Sequence, residues 1–273
     1  MEYNIRPLSF GEILDRSFRV LADNAVLLIC IAALLGIPET ALTVPRLGLQ
    51  ILGLIVALTV GPLVQAALTS AVADTYLGKP VTISSAYKSV WSIIFPIVGT
   101  YLLVFAMFAL AGGVLTFIGL AAKSGGSKGL ALIVILGIIA AIPLVFYLGI
   151  RWALLGPIMI VERRFGLSAL RRSGDLIQGV WWRTLGLVLV AAIIVRVPLG
   201  VLNFLWSSIP VVGVVLSGLV TSIGYAYSAV VLIIYYFDRR CRLEDFDLRL
   251  LAEQIRSEST QGSPAMTGAP SLD

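Results

Sequence analysis

Two charged residues, Glu39 and Arg196, lie deep inside long apolar stretches of the chain. Arg196 lies about 12 residues, or about 18 Å along a helix, into one stretch, and Glu39 lies about 14 residues, or about 21 Å, into another. A charge at such a depth in a membrane costs at least about 2.5 kcal/mol, which predicts a functional site for an ion, a proton or a lipid headgroup. Because the two depths are similar, the residues are equally candidates for a structural ion pair between helices. Arg196 reaching a nearby surface is a third interpretation.

Five arginines form a basic cluster between two of the apolar stretches: Arg163, Arg164, Arg171, Arg172 and Arg183. They are candidate contacts for anionic lipid, because the cytosolic leaflet attracts basic segments next to the membrane. The same pattern is typical of cytosolic loops, where lysine and arginine set the orientation of a membrane protein. The sequence leaves both interpretations open.

The chain offers little for catalysis. It contains no histidine, which removes the commonest general base and metal ligand. Its two cysteines, Cys30 and Cys241, lie far apart in the sequence and form no metal-binding pattern. An intramembrane hydrolase needs a nucleophile and a base, and the sequence shows no such pair. Asp74 is the nearest candidate, and it has no acidic partner near it in sequence. We therefore predict a protein that is not an enzyme, with no catalytic residue, no cofactor and no metal site.

Composition places these residues in a membrane protein. Hydrophobic residues make up 59% of the chain and charged residues 13%, whereas about 25% of a soluble domain is charged. A soluble globule of this size has too little interior for so many apolar side chains. A spanning helix needs about 20 mostly apolar residues, and six stretches qualify: about 25–44, 47–73, 93–122, 129–150 (with a continuation toward 161), 184–206 and 210–237. We predict an all-α polytopic membrane protein of about six transmembrane helices.

Basic residues predict the orientation of these helices. Fifteen lysines and arginines lie on one predicted side and three on the other. The fifteen are Arg6, Arg16, Arg19, Lys79, Lys88, Arg163, Arg164, Arg171, Arg172, Arg183, Arg239, Arg240, Arg242, Arg249 and Arg256, and the three are Arg46, Lys123 and Lys128. Because basic loops stay in the cytosol, both termini are predicted to be cytosolic and the protein to lie in the cytoplasmic (inner) membrane.

A short amphipathic helix is predicted at the membrane interface before each odd-numbered span. The apolar faces are Phe10, Ile13, Leu14, Phe18 and Leu21 in the first, Ile83, Tyr87, Val90, Trp91 and Ile94 in the second, and Leu167, Leu170, Ile177 and Trp181 in the third. Ser9 and Glu12 predict a capping box at the start of the first helix. The pattern indicates either three repeated hairpins or ordinary lead-ins to membrane helices.

The chain is predicted to form one polytopic helical membrane domain over residues 1–256. Phe246, Leu250 and Leu251 indicate one more short amphipathic helix near its end. Residues 257–273 are rich in Ser, Thr, Gly, Pro and Ala, a composition that predicts a disordered cytosolic tail.

Three segments that flank the apolar stretches carry a family resemblance. They are Arg6–Asp15, Ala169–Ser173 leading to Trp181–Gly186, and Tyr235–Leu248. In order and placement they resemble bacterial multi-pass proteins named after the membrane domain of glycerophosphoryl diester phosphodiesterase, over most of the chain up to about residue 255. The catalytic domain of such proteins depends on histidines and metal-binding carboxylates. Since this chain has no histidine, the resemblance implies the membrane half only and transfers no catalytic residue.

These observations favour a non-enzymatic integral membrane protein that anchors, scaffolds or assists a partner in the cytoplasmic membrane. The alternative is a small transporter or lipid-handling protein that uses a site around Glu39 and Arg196. The expected partners are membrane lipids and an unidentified protein, and no nucleic acid. The sequence does not determine the oligomeric state.

Overall fold

The computed structural model describes residues 6–40, 47–124, 128–206 and 212–245, and all regular secondary structure in these segments is helical. The helices are α1 (Phe10–Asp23), α2 (Ala25–Thr40), α3 (Leu47–Tyr76), α4 (Ile83–Trp91), α5 (Ile94–Ser124), α6 (Lys128–Arg151), α7 (Leu155–Pro157), α8 (Leu167–Ile177), α9 (Trp181–Trp206) and α10 (Val212–Glu244). A π-helical segment, Ile158–Glu162, directly follows α7. The all-α prediction is therefore confirmed.

Four helical stretches in the described residues are long and apolar enough to cross a membrane: Ile94–Ala121, Leu132–Glu162, Trp181–Leu202 and Val215–Glu244. α1 and the first part of α2 form a fifth candidate that is bent by 86°. Each of the six stretches predicted from the sequence lies on a helix wherever the structure describes it. The helix predicted near Phe246 and the tail 257–273 lie outside the described residues.

Short helices precede α2, α5 and α9, as the sequence predicts, and the first carries the predicted capping box. The backbone N–H of Glu12 donates to Ser9 Oγ at 3.4 Å, and the Ser9 N–H donates to Glu12 Oε2 at 2.7 Å. The backbone and side-chain hydrogen bonds of Ser9 lower the pKa of Glu12 to about 2. Leu8 and Ile13 are buried on either side of this cap, which is the pattern of a hydrophobic staple.

The apolar faces of α4 and α8 differ in detail from the prediction. Trp91 and Leu167, both assigned to those faces, are 70% and 58% exposed. The buried residues of α4 are Ala86 and Val90, and those of α8 include Leu170. The reason is that each helix buries only the narrow stripe that contacts its neighbours, and its remaining apolar side chains point outward.

α10 is the centre of the packed core. It contacts α1, α2, α3 and α9, and its side chains Tyr227, Tyr235, Tyr236 and Phe237 are fully buried. The α5–α6 hairpin is the opposite case, since no residue in the most apolar part of Ile94–Ala121 is buried. The core therefore lies where α1, α2, α3 and α9 pack around α10, and the hairpin presents apolar side chains outward.

A buried carboxylate on α10 ties the N-terminal segment to α9 and α10. Asp238 Oδ1 accepts hydrogen bonds from the Leu8 backbone N–H at 2.8 Å and from Arg242 Nε at 2.9 Å. Arg183 Nη2 lies 3.7 Å from Asp238 Oδ2. Both arginines also donate to the Leu8 carbonyl, at 3.0 Å from Arg183 and 2.7 Å from Arg242. We call these four residues the Asp238 cluster.

A second set of charges joins the π-helical segment to α8 and α10. Glu162 accepts hydrogen bonds from Arg172 Nε at 2.9 Å and from the Tyr236 hydroxyl at 3.0 Å. Arg172 also donates to Glu244, which accepts from Arg240 Nε at 3.0 Å. Partial burial acts against the charge of Arg172, but its bonds to the two carboxylates raise its pKa above the ordinary value. We call these five residues the Glu162 cluster.

Asp238→Asn should lower the free energy of unfolding by about 2 kcal/mol, because two arginines would then share a site with no negative charge. This is less than the loss expected for a fully buried pair, since both arginines are partly exposed. The unfolding temperature in a neutral detergent, followed by tryptophan fluorescence, measures the change. Asp175→Asn, on the exposed face of α8, is the matched control and should change stability by less than about 0.5 kcal/mol. Equal effects would contradict a structural role for Asp238.

Candidate functional site

A cavity of about 600 Å³ lies among α3, α5, α9, α10 and the connection that follows α6. Most of its wall is apolar, with Val98, Leu102, Phe105 and Leu232 among the lining side chains. Its polar lining residues are Gln65, Thr69, Tyr101, Trp152, Arg196, Tyr225 and Ser228. A mostly apolar space of this volume with a few convergent polar groups is typical of a ligand site.

A break in the fourth apolar stretch forms one wall of this cavity. α6 ends at Arg151, a turn follows, and the chain resumes as α7 and the π-helical segment. Pro157 has no backbone N–H to donate to the carbonyl four residues earlier. The series of helical hydrogen bonds is therefore interrupted between α6 and the π-helical segment. Trp152, Gly156 and Pro157 line the cavity, and an added Cβ at Gly156 would lie 3.6 Å from Thr69 Oγ1. Interrupted membrane helices are tolerated where they border a protein interior or a cavity.

Arg196 carries the sole charge among the described residues that line the cavity. It follows Trp181, the first residue of α9, by about 22 Å and precedes the end of that helix by about 15 Å. No carboxylate or other hydrogen-bond acceptor among the described residues contacts its guanidinium. Glu39 belongs to α2, but its side chain lies outside the described residues, so the predicted Glu39–Arg196 pair stays a prediction.

A smaller pocket of about 250 Å³ between α9 and α10 adjoins the cavity. Arg196, Tyr225 and Ser228 line both spaces. Val195 and Leu199 lie 3.3 Å and 3.4 Å from the position of a Cβ on Gly224, so a larger residue there would press α9 and α10 apart. Arg196 thus contributes to the wall of both spaces.

Two of the hydroxyl groups beside the cavity, those of Thr69 and Ser228, donate to their own helices. Thr69 Oγ1 donates to the Gln65 carbonyl at 2.7 Å, and Ser228 Oγ donates to the Gly224 carbonyl at 2.7 Å. Each hydroxyl proton is thus in use, and its oxygen can only accept a further bond. Among the described lining residues, Arg196 alone offers an anion a positive charge, and it carries five N–H donors.

The basic cluster divides into two groups. Arg172 and Arg183 bind the chain's own carboxylates, in the Glu162 and Asp238 clusters. Arg164 lies 3.3 Å from Glu162 and is half exposed. Arg163 and Arg171 are exposed. The prediction of anionic-lipid contacts stays untested for all five, and Arg163, Arg164 and Arg171 are the ones that present charge outward.

Sequence reasoning found Arg196 but missed most of the site. The polar residues Thr69, Tyr101, Tyr225 and Ser228 are individually unremarkable in apolar helices, and only packing brings them to one space. The sequence signal that was available is Gly156-Pro157 shortly after Arg151, which marks the break. Among the described residues, no group of His, Cys, Asp and Glu has the arrangement of a metal site.

The comparisons with known proteins give one match. A family model with the description "Domain of unknown function (DUF8558)" matches residues 41–243, which contain all residues of the cavity and the buried Asp238. No curated protein and no solved structure matches the chain. The resemblance to the membrane domain of glycerophosphoryl diester phosphodiesterase therefore stays a prediction.

Arg196→Leu should raise the free energy of unfolding by about 1 kcal/mol, because an apolar side chain replaces an exposed arginine that lies deep in the apolar helix α9 and has no ion-pair partner among the described residues. Arg183→Leu is the matched comparison on the same helix. It should lower the free energy of unfolding, because Asp238 would lose one of its two arginine partners. Thermal unfolding in detergent separates the two. If Arg196→Leu destabilises the protein as strongly as Arg183→Leu, Arg196 belongs to a structural ion pair, and Glu39→Gln should then reproduce the loss.

Proposed function

We propose that this chain, a member of the family described as Domain of unknown function (DUF8558), is a non-enzymatic lipid-handling protein of the cytoplasmic membrane. It binds an anionic amphiphile in the cavity, with the acidic group on Arg196. The observation that carries the proposal is a guanidinium without a carboxylate partner among the described residues, in a largely apolar space of about 600 Å³.

The chemistry of the cavity selects the ligand class. A guanidinium within a membrane needs an anion to offset its desolvation, and its planar donors match a carboxylate or a phosphate with two parallel hydrogen bonds. The apolar wall formed by Leu102, Phe105 and Leu232 suits hydrocarbon. One acidic headgroup joined to an acyl chain satisfies both requirements, whereas a small hydrated ion would leave the apolar wall without a partner.

The proposal places the cavity within a bundle of six spans: α2, α3, α5, α6 with its continuation to Glu162, α9 and α10. α3 has 30 residues and a length of about 45 Å, which exceeds the thickness of the hydrocarbon core. α1, α4 and α8 then lie at the cytosolic interface, beside the Asp238 and Glu162 clusters. An even number of spans puts both termini on the same side, and the distribution of arginines makes that side the cytosol in this proposal.

Anchoring or scaffolding a protein partner is the second candidate. The observation in its favour is the α5–α6 hairpin, whose apolar side chains are exposed along most of their length. Lipid is a sufficient neighbour for such a surface, because apolar side chains gain little from leaving hydrocarbon. Lipid handling is therefore the better supported of the two.

Photo-crosslinking in vesicles tests the proposal. Phosphatidylglycerol with a diazirine on its acyl chain should label the cavity wall of α5 and α10, near Phe105 and Leu232, more strongly than the same probe on phosphatidylcholine. Arg196→Gln should reduce the labelling of these positions about tenfold, the loss expected for a charged bidentate contact. Peptide mass spectrometry locates and quantifies the labelled residues.

The matched control is Arg171→Gln, which removes the same charge from an exposed position on α8 and should leave cavity labelling unchanged. Arg196→Lys keeps the charge without the planar donors and should give an intermediate yield. Equal labelling by the two lipids at Phe105 and Leu232, or labelling that does not respond to Arg196→Gln, would show that the cavity holds no anionic lipid.

Cysteine labelling tests the six-span topology. In a chain with Cys30→Ala and Cys241→Ala, a membrane-impermeant maleimide added to intact cells should label Lys123→Cys, on the outer side, and should not label Lys79→Cys. Breaking the cells should expose Lys79→Cys to the reagent. Labelling of both positions, or of neither, in intact cells would contradict the proposed orientation.

A further inference from the structure

A second polar pocket, of about 240 Å³, lies on the opposite side of the break that borders the cavity. It is formed by the end of α6, the end of α8 and the start of α9, and its lining includes Tyr147, Arg151, Gly174, Gln178 and Trp181. We propose that this pocket binds the phosphodiester headgroup of an anionic phospholipid from the cytosolic leaflet, with an acyl chain along α6. The site is separate from the Arg196 cavity and does not depend on it.

Arg151 supplies the positive charge. Its Nη1 donates to the Tyr147 hydroxyl at 3.1 Å, which is a neutral acceptor, and no carboxylate among the described residues forms an ion pair with it. The neighbouring carboxylate of Asp175 does not line the pocket. Most of the guanidinium donors thus remain available for phosphate oxygens, for which their planar geometry is well suited.

Contacts with α8 hold the side chain of Arg151 in place. The Arg151 backbone carbonyl accepts a hydrogen bond from Ser173 Oγ at 2.9 Å, which fixes the end of α6 against α8. A Cβ on Gly174 would lie 2.8 Å from Arg151 Nε, so the side chain passes across α8 where a glycine leaves room. Alanine at this position would displace the guanidinium without removing its charge.

Aromatic residues place this pocket at the level of lipid headgroups. The ring of Trp181 stacks on that of Tyr147 with centroids 5.8 Å apart, and its Nε1 donates to the Tyr147 carbonyl at 3.2 Å. The adjacent Trp182 is 78% exposed. Tryptophan and tyrosine are enriched at the boundary between hydrocarbon and water, where their rings are apolar and their edges polar.

A shallow, open apolar groove along one face of α6 leads away from the pocket. Ile138, Ile142, Val145 and Phe146, all on α6, line it. The rings of Phe146 and Trp181 meet with centroids 6.3 Å apart, so the groove adjoins the headgroup pocket. Ile138 lies 13 residues before Arg151, or about 20 Å along the helix, a distance suited to an extended acyl chain. A cation with a hydrocarbon groove beside it is the complement of one anionic phospholipid.

Native mass spectrometry of the full chain in neutral detergent tests this site, with phosphatidylglycerol, phosphatidylcholine and inorganic phosphate as probes. The titrations are made in both the wild-type chain and the Arg196→Gln chain, so that cavity binding is removed in the second. In the Arg196→Gln chain, Arg151→Gln should weaken phosphatidylglycerol binding about tenfold, and Gly174→Ala should weaken it to a smaller extent. In the chain that keeps Arg196, Arg151→Gln should remove one of two bound phosphatidylglycerol molecules. Arg19→Gln, at an exposed position on α1 outside the predicted lipid-contact cluster, is the charge-matched control and should leave the affinity unchanged.

Three results would overturn the proposal: phosphatidylcholine binding as tightly as phosphatidylglycerol in the Arg196→Gln chain, Arg151→Gln leaving phosphatidylglycerol affinity intact, or inorganic phosphate alone displacing the lipid. The last result would identify free phosphate as the ligand. If Arg151→Gln fails to fold, Gly174→Ala and the lipid selectivity of the Arg196→Gln chain decide the question. If the cavity positions are not photo-labelled while phosphatidylglycerol binding still depends on Arg151, the proposed function is contradicted and this second site is supported.

Discussion

The buried carboxylate of Asp238 is the interaction on which the rest of the structure depends. One side chain joins the N-terminal segment, the start of α9 and the end of α10, because it accepts from Leu8 and faces two arginines. A buried charge is costly unless it is paired. These three segments are therefore held in the arrangement that pairs the Asp238 carboxylate. The position of α9 relative to α10 follows from this, and so does the wall of the cavity that these two helices form.

Arg183 and Arg196 lie on the same helix in different surroundings. Both lie on α9, 13 residues apart, which is about 20 Å along the helix. Arg183 faces a buried carboxylate, and Arg196 faces a cavity with no anion among its described lining residues. The first arrangement is typical of a structural ion pair. The second is typical of a binding site, because the charge is left for a ligand to neutralise.

The break after α6 separates two spaces of different character. Arg151, on one side, lines a small polar pocket with Tyr147 and Trp181, whereas Trp152, the next residue, lines the large apolar cavity. Consecutive residues on a helix point about 100° apart, so these two can enter different sites at the point where α6 ends. If both proposals hold, the same short segment contacts a headgroup at the interface and an amphiphile in the interior.

The sequence by itself determined the helices, their approximate ends, the short amphipathic helices and the capping box at Ser9, because these depend on residues within a few positions of each other. It also identified Arg196, since a lone charge in an apolar stretch is visible locally. What only the tertiary structure decided is which charges are paired. Arg172 and Arg163 look alike in the sequence, yet one binds the partly buried carboxylates of Glu162 and Glu244 and the other is exposed. The second of these carboxylates lies 72 positions from Arg172 in the sequence, so its pairing depends on the packing of α8 against α10. The polar residues of the cavity likewise become one site only when five separate segments pack together.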